Sequence, residues 1–199
     1  MFNNRRYMLM MLAGVLILST VFPLAGIAQD KELILVDDGK ANAVVVWWSF
    51  EETPVPSYAA TEMSDYLQKM SGATIPVRRG TLIEASDAEM LDLTSGILIA
   101  TGDDIDALDE VDGHLAIPGE WLASTASRLA GAKEDAFVIE TRGDTLLLTG
   151  ANDRGTLYAA YDLLERLGVQ FIAPNFDVYE GHGEYIPTQA TVSLAPLDT

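Results

Sequence analysis

Cysteine is absent from the 199 residues, and histidine occurs only as His114 and His182. Without thiols the chain has no disulfides, iron–sulfur clusters or thiolate zinc sites, and no cysteine to carry the lipid of a bacterial lipoprotein. The two histidines lie far apart and fit no H-x-x-x-H pattern, so neither a metal site nor an imidazole base is expected. Basic residues are also scarce. Lys+Arg number 12 against Asp+Glu 30, a formal net charge of -18, and the lysines are Lys31, Lys40, Lys69 and Lys133. That excess argues against nucleic acid or anionic lipid as a partner, because both require cations to neutralise phosphate. It is compatible with a saline habitat or simply with solubility. Also missing are a strand followed by G-x-G-x-x-G, a Walker P-loop and G-x-S-x-G, so no nucleotide cofactor and no serine nucleophile are expected. Length adds one more exclusion. A (β/α)₈ barrel takes roughly 250 residues and seldom fewer than ~200, which leaves no room here for a barrel beside another domain.

What is present begins with an export-type leader. Arg5 and Arg6 precede an almost wholly apolar run from Tyr7 to Leu24, and Gly26 and Ala28 place small residues before a cleavage point after Ala28. This is the pattern of a secretory signal peptide over residues 1–28. The alternative is an N-terminal membrane anchor, since the run is about long enough to cross ~30 Å of hydrocarbon. Pro23 and the small residues favour cleavage. Removing 28 of 199 residues leaves 171, one domain over 29–199, with no membrane contact after processing and a secreted or periplasmic location. The leader carries two arginines and no acid, so 12 less 2 leaves ten basic residues against 30 acids.

Beyond the leader, short apolar runs alternate with helical spacing. Leu33–Val36 and Ala43–Trp48 read as strands separated by the turn Asp37-Asp38-Gly39-Lys40. Ala59, Met63, Tyr66, Leu67 and Met70 recur every three or four residues, predicting a helix from about Ser57, its N-cap, to Met70, with Glu62 and Asp65 facing away from the apolar stripe. Ala73–Arg78 and Gly96–Thr101 are further strands, with a helical turn expected in Glu84–Leu93. Asp103–Gly113 is acid-rich, and Pro118–Ala130 is helical around Trp121, Leu122 and Leu129. Ala136–Arg142 and Thr145–Gly150 form a hairpin about Gly143-Asp144. A helix to Leu167 follows, with Leu157, Ala160, Tyr161, Leu164 and Leu167 as its buried stripe. Val169–Ile172 and Thr191–Leu194 end the series. This order describes an α+β fold, a mixed β-sheet with helices packed on it.

Two segments carry a family likeness. Tyr58–Val77 (YAATEMSDYLQKMSGATIPV) resembles the "AA-x-E-L…Y-L…M-T-G…I-P-V" stretch of the N-terminal domain of family 67 alpha-glucuronidases. Gly150–Pro174 (GANDRGTLYAAYDLLERLGVQFIAP) resembles the same domain's "G…RGTLYAVYDFLE…LGVRWYAP" signature, and Gly183–Pro187 looks like its exit strand. The likeness runs from about Leu33 to Leu194. It implies an α/β sandwich of the zincin-like, hexosaminidase domain 2-like type, which is non-catalytic and precedes a barrel in several glycosidase families. Trp47-Trp48 departs from the family's small or polar strand exit, and Phe171-Ile172 replaces its Trp-Tyr.

Candidate chemistry is sparse. Asn152, Asp153 and Arg154 stand at a helix N-terminus, which can hold an anion, although capping plus a surface arginine explains them as well. Asp103, Asp104, Asp106, Asp109, Glu110 and Asp112 do not follow the EF-hand spacing, so a solvated acidic loop rather than a metal site is expected. Glu51 and Glu52 are adjacent and would point to opposite faces of a strand, and Glu140 has no partner carboxylate, so no catalytic pair is formed. Trp47, Trp48 and Phe50 are the aromatic candidates for stacking on sugar rings, with strand alternation placing one tryptophan in the core. The expectation is a secreted, non-catalytic accessory domain of an alpha-glucuronidase-like, xylan-degrading system. Its expected partner is a catalytic barrel domain or protein, or polysaccharide. The alternatives are the N-terminal fragment of a split or truncated glycoside hydrolase, and a stand-alone carbohydrate-binding or protein-docking module.

Overall fold

The structure, a computed structural model, describes residues 31–50, 53–80, 95–109, 117–172 and 183–199. The leader, Glu51-Glu52, Glu84–Leu93, both histidines and the acids Glu110 and Asp112 lie outside the described residues. The chain runs β1 (Leu33–Asp37), β2 (Lys40–Ala41), β3 (Ala43–Trp47), α1 (Pro54–Ser71), β4 (Val77–Arg79), β5 (Ser95–Thr101) and α2 (Gly102–Asp109). It continues through α3 (Gly119–Leu129), β6 (Phe137–Arg142), β7 (Thr145–Gly150), α4 (Asp153–Arg166), β8 (Gln170–Phe171), β9 (Glu184–Tyr185) and β10 (Val192–Leu194).

Five strands in the order β4-β3-β5-β7-β6 make the main sheet. The first four are parallel and β6 joins β7 antiparallel as a hairpin, so the sheet is mixed and the fold is α+β. Strand alternation sorts the core into two layers. Val45, Ile97, Ile99, Leu146 and Leu148 face α1 and α4. Val46, Trp48, Leu98, Ala100 and Leu147 face α2 and α3. On the first face the buried stripe of α4 includes Ala159, Ala160, Leu163 and Leu164, each leucine worth roughly 1.5–3 kcal/mol of burial.

Several boundaries differ from the sequence reading for identifiable reasons. The turn at Asp38 (φ 46) and Gly39 (φ 73) does not lead directly from Leu33–Val36 into Ala43–Trp48. It closes a short β1–β2 hairpin, and β1 pairs with β10 in a separate three-stranded sheet whose Leu33, Leu35, Val192 and Leu194 join the α1/α4 core. Helix α1 begins three residues before Ser57, at Pro54, because a proline at the first helical position has a suitable φ and no orphan N–H. Thr53 is therefore the N-cap position, and the Ser57 hydroxyl donates back to the Pro54 carbonyl at 2.8 Å. Glu62 does not face solvent alone. It lies half-buried where α1 meets α4 and accepts from the Tyr161 hydroxyl at 2.9 Å. The acid-rich stretch is not wholly a loop, since Gly102–Asp109 is helix α2. The C-terminal residues lie along β6, where Thr141 N–H donates to Leu197 O at 2.8 Å and Glu140 bridges Asp198, covering an otherwise open sheet edge.

Among the described glycines, those at the β7–α4 junction leave the least room for a side chain. A Cβ on Gly150 would lie 2.0 Å from Thr156 N and 2.2 Å from Gly155 C, and one on Gly155 would lie 2.5 Å from Ala136 O. Glycine is required here by close backbone approach, not by positive φ. Gly150→Ala is expected to cost at least about 3 kcal/mol, while Gly131→Ala, where a Cβ meets nothing within 4 Å, stays within about 0.5 kcal/mol of wild type. Urea unfolding of both variants checks this, and equal midpoints would refute it.

Tyrosines add a pH-dependent seam between α1 and α4. Tyr66 donates to Glu184, and Phe171 meets Tyr66 and Tyr161 edge-on at 5.7 and 5.2 Å. Burial, then hydrogen bonds to Glu184 in one case and to Tyr58 and Glu62 in the other, raise both phenol pKa values. A folded pKa above the unfolded value, about 10 for tyrosine, means this stabilisation is complete below pH ~10 and declines as pH rises beyond it. Thermal melts from pH 8 upward should show a fall above ~10 that is shallower in the Tyr66→Phe/Tyr161→Phe double variant; identical slopes would count against it.

Candidate functional site

The parallel strands create a crevice by their connections. From β3 the chain crosses through α1 to β4 on one side, whereas β5 lies on β3's other side, so the strand order reverses between β3 and β5. In open α/β sheets ligands settle beyond the carboxyl ends of the strands at such a switch point. A cleft of about 650 Å³ occurs there, within the usual range for small-molecule sites. Residues at or beyond the ends of β3 (Ser49, Phe50, Thr53), β5 (Thr101, Asp103, Asp104) and β7 (Asn152, Asp153, Arg154) line it.

Asp104 organises this rim. It is the third residue of α2, and its N–H donates to Thr101 Oγ1 at 3.2 Å while its Oδ2 accepts from Thr101 N–H at 3.3 Å, a capping box. The Thr101 hydroxyl also donates to Oδ2 at 2.7 Å, and Oδ1 accepts from Phe50 N–H at 2.9 Å. One buried carboxylate thus ties the exit of β3 to the start of α2. A second link joins α1 to α4: Thr53 donates to Asp153 Oδ1 at 3.0 Å. Asn152, not Asp153, caps α4, accepting from Gly155 N–H at 2.9 Å.

The aromatic candidates separate. Trp48 is buried under α2 and α3, and Trp47 is half-buried on the α1 side with the Arg79 guanidinium 5.3 Å from its ring. Phe50 lines the cleft, 48% exposed, with its ring edge-on to Trp48 at 5.3 Å. Trp48 is itself wedged against Gly80, where a Cβ would come within 2.6 Å of the indole. The exposed ring therefore has a rigid backing.

Arg154 lines the cleft but is engaged by Asp135 at 2.5 Å and Glu134 at 3.7 Å, and the Asp135 carboxylate raises the guanidinium pKa further. With Asp103 and Asp153 beside it, the cleft offers mainly hydrogen-bond acceptors. Among the described residues no group of three or more acids or histidines could hold a metal ion. Glu140 lies away from the cleft, buried on β6 between Arg142 at 2.7 Å and Arg128 at 3.3 Å. The sequence reading picked out Phe50 and Asn152–Arg154 separately, and the fold brings them to one cleft. It passed over Asp104 as a site residue, although T-x-x-D directly after a strand is a capping-box signal.

No family model and no curated protein matches the chain. Among solved structures it is similar to a family GH115 4-O-methyl-α-glucuronidase with specificity for decorated arabinogalactans, at TM-score 0.52 and 21% identity, over 84% of this chain and 18% of that one. A family GH138 enzyme targeting pectin rhamnogalacturonan II gives a weaker likeness, TM-score 0.37 at 14% identity over 62% of this chain and 10% of that one. The chain thus has a fold found within a large glycoside hydrolase and spans 18% of that protein's length.

Removing the Asp104 carboxylate unpairs two backbone N–H groups. Asp104→Ala should lower unfolding free energy by about 2 kcal/mol and Asp104→Asn by roughly half as much. Chemical denaturation measures both, and a neutral alanine variant would show that the carboxylate does not organise the rim.

Proposed function

We propose that the chain is a secreted, non-catalytic accessory domain of an alpha-glucuronidase-like polysaccharide-degrading system, and that its switch-point cleft binds sugar. The observation that carries this reading is Phe50, an exposed ring held rigidly across from carboxylates and hydroxyls. Sugar rings offer C–H faces for an aromatic side chain and hydroxyl donors for acceptors such as Asp103 and Asp153. The family 67 likeness of Tyr58–Val77 and Gly150–Pro174 supports the xylan context, and the shared fold agrees with a glycosidase setting.

The charge pattern selects among sugars. A glucuronate would meet Asp103 and Asp153 with Arg154 already paired, so the cleft suits the neutral backbone of a decorated polysaccharide better than its acidic side groups. A second reading, docking against a catalytic barrel, draws on Tyr58, Tyr158, Ile172 and Tyr185, large side chains exposed on α1, on α4 and at the paired strands β8 and β9.

Calorimetric titration of the purified chain with xylohexaose, neutral or bearing 4-O-methylglucuronate, tests the sugar reading. Expected are binding of the neutral oligosaccharide, no gain from the uronate, and about a tenfold loss in Phe50→Ala. No glucuronate should be released. Absence of binding, or binding indifferent to Phe50→Ala, would overturn the assignment.

A further inference from the structure

A second depression, of about 340 Å³, adjoins the cleft and shares Asp103 and Asn152 with it. Its base is formed largely by residues with little or no side chain, among them Gly102, Ala126, Ala130 and Ala151. Asp106 and Glu134 add carboxylates, and Ser127 is exposed on α3. The two depressions meet at the shared Asp103 and Asn152, with Phe50 in the first and α3 beside the second. Adjacent strands lie about 4.8 Å apart, so a path across the ends of β3, β5 and β7 already covers on the order of 10 Å before it reaches α3. That is longer than one sugar ring.

Resting on the sugar reading of the first cleft, we propose that the two depressions act as one groove and bind an extended, neutral oligosaccharide, with one unit against Phe50 and later units over the small-residue floor beside α3. Apart from the buried Leu129, the apolar lining of the second depression is glycine and alanine, and the acceptors Asp103, Asp106 and Glu134 match a series of donor hydroxyls. The nearby guanidinium is paired to Asp135, so an anionic chain finds no free cation at the junction. A globular ligand filling only the first cleft would leave the second depression unused.

Xylobiose and xylohexaose serve as probes in calorimetric titration. Xylohexaose is expected to bind more than about tenfold tighter than xylobiose, beyond the several-fold statistical gain from its repeated units. Ser127→Trp, which places an indole over the second depression, should bring xylohexaose to about the xylobiose affinity, with an unaltered melting temperature confirming the fold. If the two sugars bind wild type alike, or if the length gain survives Ser127→Trp, the extended site is wrong while the first cleft stands. If neither sugar binds, the sugar reading fails and this inference with it.

Discussion

The contact on which the rest of the molecule depends is the backbone approach of Gly150 to the first turn of α4. Thr156 locks it: its hydroxyl accepts from Gly150 N–H at 3.1 Å and lies within 3.3 Å of Ala100 O, on the neighbouring strand β5. Ala151 N–H donates to Ala136 O at 2.8 Å, which brings in the entrance to β6. Three main-chain segments therefore meet within a few ångströms, with the Thr156 hydroxyl as the side-chain link at their junction. This seats α4 on the sheet, and because Asn152–Arg154 lie inside the turn, it also delivers them to the cleft.

Alternation along β3 decides what that scaffold presents at the candidate cleft. Successive residues face opposite layers, so Trp47 goes to the α1 side and Trp48 to the α2/α3 side. The strand then ends, and Phe50 escapes both layers because Asp104 holds its backbone at the rim. An aromatic residue two positions earlier would have been absorbed into the core. Position relative to the strand end, more than residue type, decides which of the three can meet a ligand.

Much of the core was legible because burial and periodicity coincide in it: Met63, Leu67 and Met70 on α1, Ile97 and Ile99 on β5, and Trp121 and Leu122 on α3 are all buried as their spacing implies. Less legible were features set by partners distant in sequence. Nothing near Leu33–Val36 says that β1 pairs with β10 instead of entering the main sheet, since that choice is made by residues more than 150 positions away. The site was legible only in pieces. Phe50 and Asn152–Arg154 are separated by about a hundred residues, and what unites them is the reversal of strand order, a property of topology absent from any local window. Asp104 was hidden for another reason: in an acid-rich run, a carboxylate that caps a helix looks like its solvated neighbours.

The same acid excess constrains what the cleft can recognise. With few cations available, many of those that are described are drawn into ion pairs within or between elements: Arg128 and Arg142 around Glu140, Arg154 with Asp135, Arg166 with Asp162, and Lys69 with Glu184. At the cleft this leaves carboxylates and hydroxyls beside an aromatic ring, an array of acceptors without an uncommitted positive charge among the lining residues. Phosphate and uronate ligands would have to displace an existing ion pair and then lie against aspartates. A polyol makes no such demand, because each hydroxyl can donate to an acceptor while the carbon face of the ring covers Phe50. The acidity that argues against nucleic acid in the sequence thus argues, in the folded chain, for a neutral ligand rich in hydroxyl groups.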